Sequence, residues 1–258
     1  MNIIAIIPAR MGSSRYPGKP LAPICGMPMI GHVALRTAMC TALAGAYVAT
    51  CDEEIEAYIV SLGLPVVMTG GHHVRCTTRT AEAMLTIESM TGKKADIVVM
   101  VQGDEPMVTP GMIEASIRPM LADPSIQVVN LMAEMQSLEE FEDPNEVKVV
   151  VDRHGNALYF SREPIPSRKK GSDAVPMRKQ VCIIPFRRDY LLRFNEMPES
   201  PLEIYESVDM LRILEHGDTV RMAPIAERTV SVDTPADRSR VEELMRDDPL
   251  LELYMKRR

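Results

Sequence analysis

Short unbroken apolar runs alternate along this chain with stretches in which apolar positions recur every three or four residues. Residues 2–8 (NIIAIIP) are almost wholly apolar and end at a proline, the pattern of a strand buried on both faces of a parallel sheet. Residues 28–43 place Ile30, Val33, Ala34, Thr37 and Ala38 at helical spacing. The alternation continues as a strand over 46–50, a helix over 53–62, a strand over 65–69, a helix over 79–89 and a buried strand over 96–101 (DIVVMV). A further helix is expected to start near Pro110, because a proline ring suits the first turn. This rhythm predicts an α/β fold with a doubly wound, mostly parallel sheet.

Beyond about Asp123 the rhythm changes. Strands are expected over 127–133 and 147–151, and the turn residues 152–156 (DRHGN) should fold the chain back into a hairpin strand over 157–161. Residues 162–175 are rich in Pro, Lys and Ser and read as a loop. A strand over 179–186, a helix over 201–216 ending near Gly217, strands over 219–225 and 229–232 and a closing helix over 235–246 complete the expectation. The organisation expected is a single domain over 1–258, with 1–125 and 218–258 as its core and about 126–217 as a small mixed-sheet subdomain.

Composition narrows the class. Hydrophobic residues make up 46% and charged residues 25%, the profile of a soluble globular chain. A net charge of −7 argues against a nucleic-acid-coating protein, so phosphate groups must be met by local basic clusters. No apolar run reaches the length of a membrane helix, and the short apolar start lacks the basic lead of a secretory signal. The five cysteines are scattered and form no CxxC pair, which points to neither a zinc site nor a disulfide framework and makes a reducing cytoplasm the expected compartment. The 20 methionines read as core filler. The five histidines and five cysteines are read as structural.

Three segments carry chemistry. The first follows the first strand: Pro8-Ala9-Arg10-Met11-Gly12-Ser13-Ser14-Arg15-Tyr16-Pro17-Gly18-Lys19-Pro20. A loop leaving the carboxyl end of a central strand is where doubly wound sheets bind ligands. Arg10, Arg15 and Lys19 interleave here with Ser and Gly, and such a set suits a triphosphate, since glycine lets N–H groups approach an anion and Arg and Lys meet phosphate oxygens. The segment fits neither the GxxxxGK[ST] nor the GxGxxG pattern. As an exposed loop cation, Lys19 is expected to contribute little to folding. The second segment, Gln102-Gly103-Asp104-Glu105-Pro106, puts a carboxylate just past a buried strand, either to hold Mg²⁺ against phosphates or to cap the helix that follows. The third, Val232-Asp233-Thr234-Pro235, offers the same two readings for Asp233.

These segments, together with PMIGHV at 28–33, YVATCDEEI at 47–55, DPNEVKVV at 143–150, ALYFSREPIP at 157–166 and SPLEIYESVDMLRILEHG at 200–217, resemble the 3-deoxy-manno-octulosonate (Kdo) cytidylyltransferases over nearly the whole chain. The resemblance implies a nucleotidyltransferase fold in which the core binds the nucleotide and the subdomain serves the acceptor and dimerisation. It implies transfer of CMP from CTP to an acidic acceptor of the Kdo type with release of pyrophosphate, and a homodimer. It implies Mg²⁺ as cofactor, held by Asp104 and Asp233, with Arg10 and Lys19 completing the catalytic set. Pro8, Ala9, Arg10, Gly12, Ser13, Arg15, Lys19, Arg79 and Gln102 fall on the nucleotide side, and Gln102, Arg162, Gln180 and Glu206 on the acceptor side. No base-reading residue follows from the sequence itself, so the choice of CTP is the resemblance's alone.

The chain departs from the family pattern in three places. A Ser-Gly-Thr-Asp-Arg segment is here Arg75-Cys76-Thr77-Thr78-Arg79, exchanging an acid for Thr78 and adding Arg75. A His and a Tyr associated with the acceptor become Gln180 and Ile184, and a Gln becomes Met210. Loss of hydroxyl-reading partners changes discrimination between acceptors, so the departures predict poor use of Kdo and leave open a second acceptor, such as another nonulosonate or phosphonoformate. A non-catalytic binding subunit is the third reading, and the presence of Arg10, Lys19, Asp104 and Asp233 argues against it.

Overall fold

The computed structural model describes residues 1–12, 15–171 and 174–255. The chain divides into two compact units, Met1–Glu114 with Thr229–Arg258, and Ala115–Arg228. In chain order the first unit contains β1 (Ile3–Pro8), a 3₁₀ turn (Lys19–Leu21), the short hairpin β2 (Pro23–Ile24) and β3 (Met27–Pro28), α1 (Met29–Ala38), β4 (Gly45–Thr50), α2 (Glu53–Ser61), β5 (Val66–Met68), α3 (Cys76–Thr91), β6 (Ile97–Val101) and the start of α4 (Pro110–Ala122). The second unit holds β7 (Val129–Glu134), α5 (Leu138–Glu142), β8 (Lys148–Val151), β9 (Ala157–Ser161), β10 (Arg178–Val181), β11 (Ile183–Arg187), α6 (Arg188–Glu196), α7 (Pro201–Glu206), α8 (Met210–Glu215) and β12 (Arg221–Ile225). The chain then returns to the first unit as α9 (Pro235–Arg246) and α10 (Pro249–Met255).

In the first unit β6, β1, β4 and β5 run side by side and parallel. β1 and β6 are buried at every position, as their apolar runs require for strands covered on both faces. Because the strands are parallel, the loops after Pro8, Thr50 and Val101 all leave at one edge. That edge carries the chemistry. In the second unit the sheet order is β12-β7-β10-β8-β9, with one parallel pair (β12 with β7) and antiparallel pairs otherwise. No helix among the described residues is long and apolar enough to cross a membrane.

Three expectations are corrected. The strand expected over 179–186 is two strands parted at Cys182, because the Asn130 side-chain amide donates to the Val181 carbonyl (2.8 Å) and takes the place of a continuing ladder. The helix expected over 201–216 breaks at Ser207, which is left-handed with φ 53°. There Arg162 Nε donates to the Glu206 carbonyl (2.6 Å) and so captures an acceptor that a continuous helix would use itself. Residues 229–232 form no strand; they are held instead by Val232 N–H to Asp104 O (3.0 Å) and Ser231 Oγ to Glu105 Oε1 (2.8 Å). Finally, α5, α6 and α10 were not anticipated, although α6 buries Tyr190, Leu191 and Phe194 along one face.

Candidate active site

The loop after β1 is pinned at several points before it reaches its cations. Ala9 N–H bonds Ala49 O (2.9 Å), Met11 N–H bonds the Asp52 carboxylate (2.8 Å), and Gly18 N–H bonds Met11 O (3.3 Å). Asp52 was not singled out from the sequence; a carboxylate two residues past β4 was the available signal. Lys19 opens the 3₁₀ turn, and its ammonium donates to Asp104 Oδ2 (2.9 Å), Asp233 Oδ1 (3.2 Å) and the Val232 carbonyl (2.8 Å). Arg15 Nη2 lies 2.9 Å from the same Asp233 oxygen. Arg10 Nη1 donates to the His73 carbonyl at 3.3 Å. Ser13 lies outside the described residues.

Neither aspartate serves as a helix cap. After Asp104 the next helix begins only at Pro110, where Thr109 Oγ1 accepts the Met112 N–H (3.1 Å). For α9 the cap is Thr234, which forms a reciprocal capping box with Asp237. Asp237 also accepts the Asp233 N–H (3.1 Å), so the backbone around Asp233 is satisfied and its carboxylate faces Lys19 and Arg15. Gly103 makes the approach possible. A side chain there would stand 3.1 Å from Pro8 O and 3.3 Å from Ile30 Cδ1, too close for comfort on both sides.

A cavity of about 250 Å³ opens among these groups, lined by Pro8, Ala9, Arg10, Gly12, Arg15, Lys19, Gln102, Gly103, Asp104 and Asp233, with Pro20, Met29 and Cys76 completing the wall. Among the described residues it therefore gathers every nucleotide-side candidate except Arg79. Burial alone would push the Lys19 ammonium down, but Asp104 and Asp233 together hold it above its ordinary value. Its side chain is only 13% exposed, so the expectation of a solvated loop cation is corrected: Lys19 is the bridge between the carboxylate just past β6 and the one just before α9.

Arg79 sits on α3 and is buried; its guanidinium donates to Thr69 Oγ1 (2.5 Å) and Cys51 Sγ (3.5 Å). It lines a second, smaller cavity of about 50 Å³ with Arg10, His73, Arg75 and Cys76. Thr78 neighbours that wall and bonds the His73 ring (3.0 Å).

The remaining candidates belong to the second unit. The Glu206 carboxylate accepts from Tyr159 Oη (3.2 Å), Ser161 Oγ (3.0 Å) and Arg162 N–H (2.7 Å). The Arg162 guanidinium donates to the carbonyls of Glu206 (2.6 Å), Pro144 (2.8 Å) and Ser207 (3.4 Å). Gln180 donates to Asn130 Oδ1 at 2.6 Å. Ile184 and Met210 are each only 1% exposed and are packing residues of this unit. Positions that are sealed in the core cannot read a ligand's hydroxyls, so two of the departures that suggested a changed acceptor carry no such meaning.

A parallel α/β sheet whose carboxyl edge, with the turn before α9, gathers three cations and two converging carboxylates around one cavity defines a nucleotide-handling site of the nucleotidyltransferase kind. A family model described as "Cytidylyltransferase" matches residues 4–225. The chain belongs to the cytidylyltransferase family. It is 43% identical over 253 residues to a 3-deoxy-manno-octulosonate cytidylyltransferase of Geobacter metallireducens, covering 94% of this chain and 97% of that one. A protein of the same name from Syntrophotalea carbinolica is 41% identical, covering 95% and 99%. Among solved structures, a CMP:2-keto-3-deoxy-manno-octonic acid synthetase complexed with CTP matches with a TM-score of 0.85 and 38% identity, over 96% of this chain and all of that one. A cytidylyltransferase from Leptospira borgpetersenii shares the fold, with a TM-score of 0.64 at 16% identity.

Proposed function

We propose that this enzyme transfers CMP from CTP to Kdo and releases pyrophosphate. The observation that carries the reading is the Lys19 bridge, in which one ammonium bonds both Asp104 and Asp233 inside a cavity also lined by Arg10 and Arg15. The relatives at 41–43% identity bear the Kdo cytidylyltransferase name, and the structural relative holds CTP, which favours Kdo over another nonulosonate or phosphonoformate as acceptor.

The donor set suits Mg²⁺. Two carboxylates that already meet at a single positive charge can share a hard divalent cation, which takes one or two protein carboxylates and completes its shell with phosphate and water oxygens. In this reading Asp104 and Asp233 hold the ion, and when bound it neutralises charge developing on the phosphates. Displaced from between the carboxylates, Lys19 turns to the phosphates, where it joins Arg10 and Arg15 in stabilising the leaving pyrophosphate. In this reading Gly12 and the loop backbone supply close N–H groups, and Gln102, a residue of the cavity wall, serves the acceptor. The acceptor hydroxyl attacks the α-phosphorus in line, so the protein's contribution is alignment and charge rather than covalent catalysis.

Arg162, Gln180 and Glu206 serve the acceptor in this reading. Because Arg162 and Glu206 are tied to backbone and to each other's segments, their part is to hold the end of β9 and the turn at Ser207 in place. A homodimer is supported by exposed apolar side chains on the second unit: Leu158 on the edge strand β9, and Ile204 and Tyr205 on α7. The cytoplasm, where CTP is made, is the compartment this reaction requires.

Pyrophosphate release measured with each of the four nucleoside triphosphates, and with Kdo beside other keto acids and phosphonates, tests the reading. CTP with Kdo should be the preferred pair. Turnover of another nucleotide, or of a phosphonate in place of Kdo, at a higher kcat/KM would overturn it.

A further inference from the structure

We propose that His72, His73 and Glu82 form a binding site for a borderline divalent transition-metal ion, with Zn²⁺ the best match. This site lies apart from the carboxylate pair of the cavity and does not depend on the reaction assigned there. One ligand atom from each residue lies within 4.8 Å of the others. Two imidazoles and one carboxylate are a donor set that suits Zn²⁺ and similar ions, whereas Mg²⁺ prefers oxygen alone.

The hydrogen bonds around His73 turn its Nε2 to a carboxylate. Thr78 has one hydroxyl proton and donates it to the Arg75 carbonyl (3.0 Å). With that proton so committed, the same oxygen, 3.0 Å from His73 Nδ1, accepts from the Nδ1–H tautomer of the ring. Neutral His73 then turns its Nε2 lone pair to the Glu82 carboxylate, its direct neighbour. In this tautomer two acceptors face one another, an arrangement that a metal ion between them completes; in the other tautomer the ring donates its Nε2–H to Glu82. The His72 ring lies against that of His73 with centroids 4.2 Å apart, which brings a third donor to the same point.

The surroundings orient the ligands in the manner of a metal site, where each ligand's remaining polar atom is held by a neighbour. Thr78 fixes the His73 ring, and Gly70 N–H bonds the other Glu82 oxygen at 2.9 Å. Gly70 has a second role. A Cβ there would run into the His72 ring, so a larger residue would shift the ring from its place beside His73. His72 is exposed and can turn inwards to bring its nitrogen to the roughly 2.1 Å expected of a Zn–N bond.

Zn²⁺ is titrated calorimetrically into the full chain, with Co²⁺ as a spectroscopic stand-in. One equivalent should bind, and the Co²⁺ spectrum should show ligand-field bands without thiolate charge transfer. His72→Ala, Glu82→Gln and Gly70→Ala should each weaken binding about tenfold or more, with circular dichroism unchanged. Asp104→Asn should bind as the wild type does. Absence of saturable binding, a thiolate band, or unchanged affinity in both His72→Ala and Glu82→Gln would overturn the proposal and leave His73 as a protonated partner of Glu82.

Discussion

Lys19 Nζ lies 2.9 Å from Asp104 Oδ2, a contact between residues 85 positions apart that places the loop after β1 on the turn after β6. The same ammonium reaches Asp233, so its removal leaves two carboxylates facing one another. Lys19→Ala should therefore slow turnover by about 10²-fold or more and also lower stability by about 1–3 kcal/mol. Steady-state kinetics and urea unfolding of the same preparation check both. Unchanged stability would return Lys19 to the solvated cation that the sequence suggested.

Asp104→Asn and Asp233→Asn keep shape and remove charge. If the pair holds Mg²⁺, each should lower kcat by about 10²–10³-fold, and a chelator should abolish wild-type turnover until Mg²⁺ is restored. Pyrophosphate release measured across a Mg²⁺ series distinguishes a weakened metal site, which excess ion rescues in part, from a residue without a role, which leaves the rate unchanged.

In the second unit the buried Lys179 ammonium is shared by Glu140 Oε1 (2.6 Å) and Glu146 Oε1 (3.0 Å). Burial lifts the Glu146 carboxyl above its usual range in spite of Lys179. Burial alone would lower Lys179, but the two carboxylates hold it above its ordinary value of 10.5. Lys179→Met leaves buried carboxylates uncompensated and should cost about 3–5 kcal/mol. A base whose folded-state pKa is raised stabilises the fold below its unfolded value, and that contribution is lost as pH rises through the folded value. On the alkaline side the stability gap between wild type and Lys179→Met should therefore hold through mildly alkaline pH and narrow above 10.5. Unfolding free energies measured over a pH series would show whether it does.

Arg162→Lys keeps a positive charge but loses the planar fork that meets three carbonyls. It should lower stability by about 1–3 kcal/mol and raise KM for Kdo while leaving KM for CTP unchanged. A rise in both constants would show a general loss of structure rather than a role on the acceptor side.

The apolar runs at 3–8 and 97–101 determined the buried strands of the parallel sheet by themselves, because a strand buried on both faces has no polar position to place. The loop cations and Asp104 were equally visible, since parallel strands bring their following loops to one edge whatever the rest of the chain does; Asp233 was read as following a strand that does not form. Tertiary structure decided which of two roles each aspartate plays. Capping is local, and Thr109 and Thr234 take it; the meeting of Asp104 with Asp233 at Lys19 is long-range and has no local signature. Tertiary contacts also broke the helix at Ser207 and the strand at Cys182, where side chains distant in sequence captured backbone carbonyls. The same holds for His72, His73 and Glu82. Two adjacent histidines nine or ten residues from a glutamate mean nothing until the turn at Gly70 and the first turns of α3 bring their donor atoms to one point.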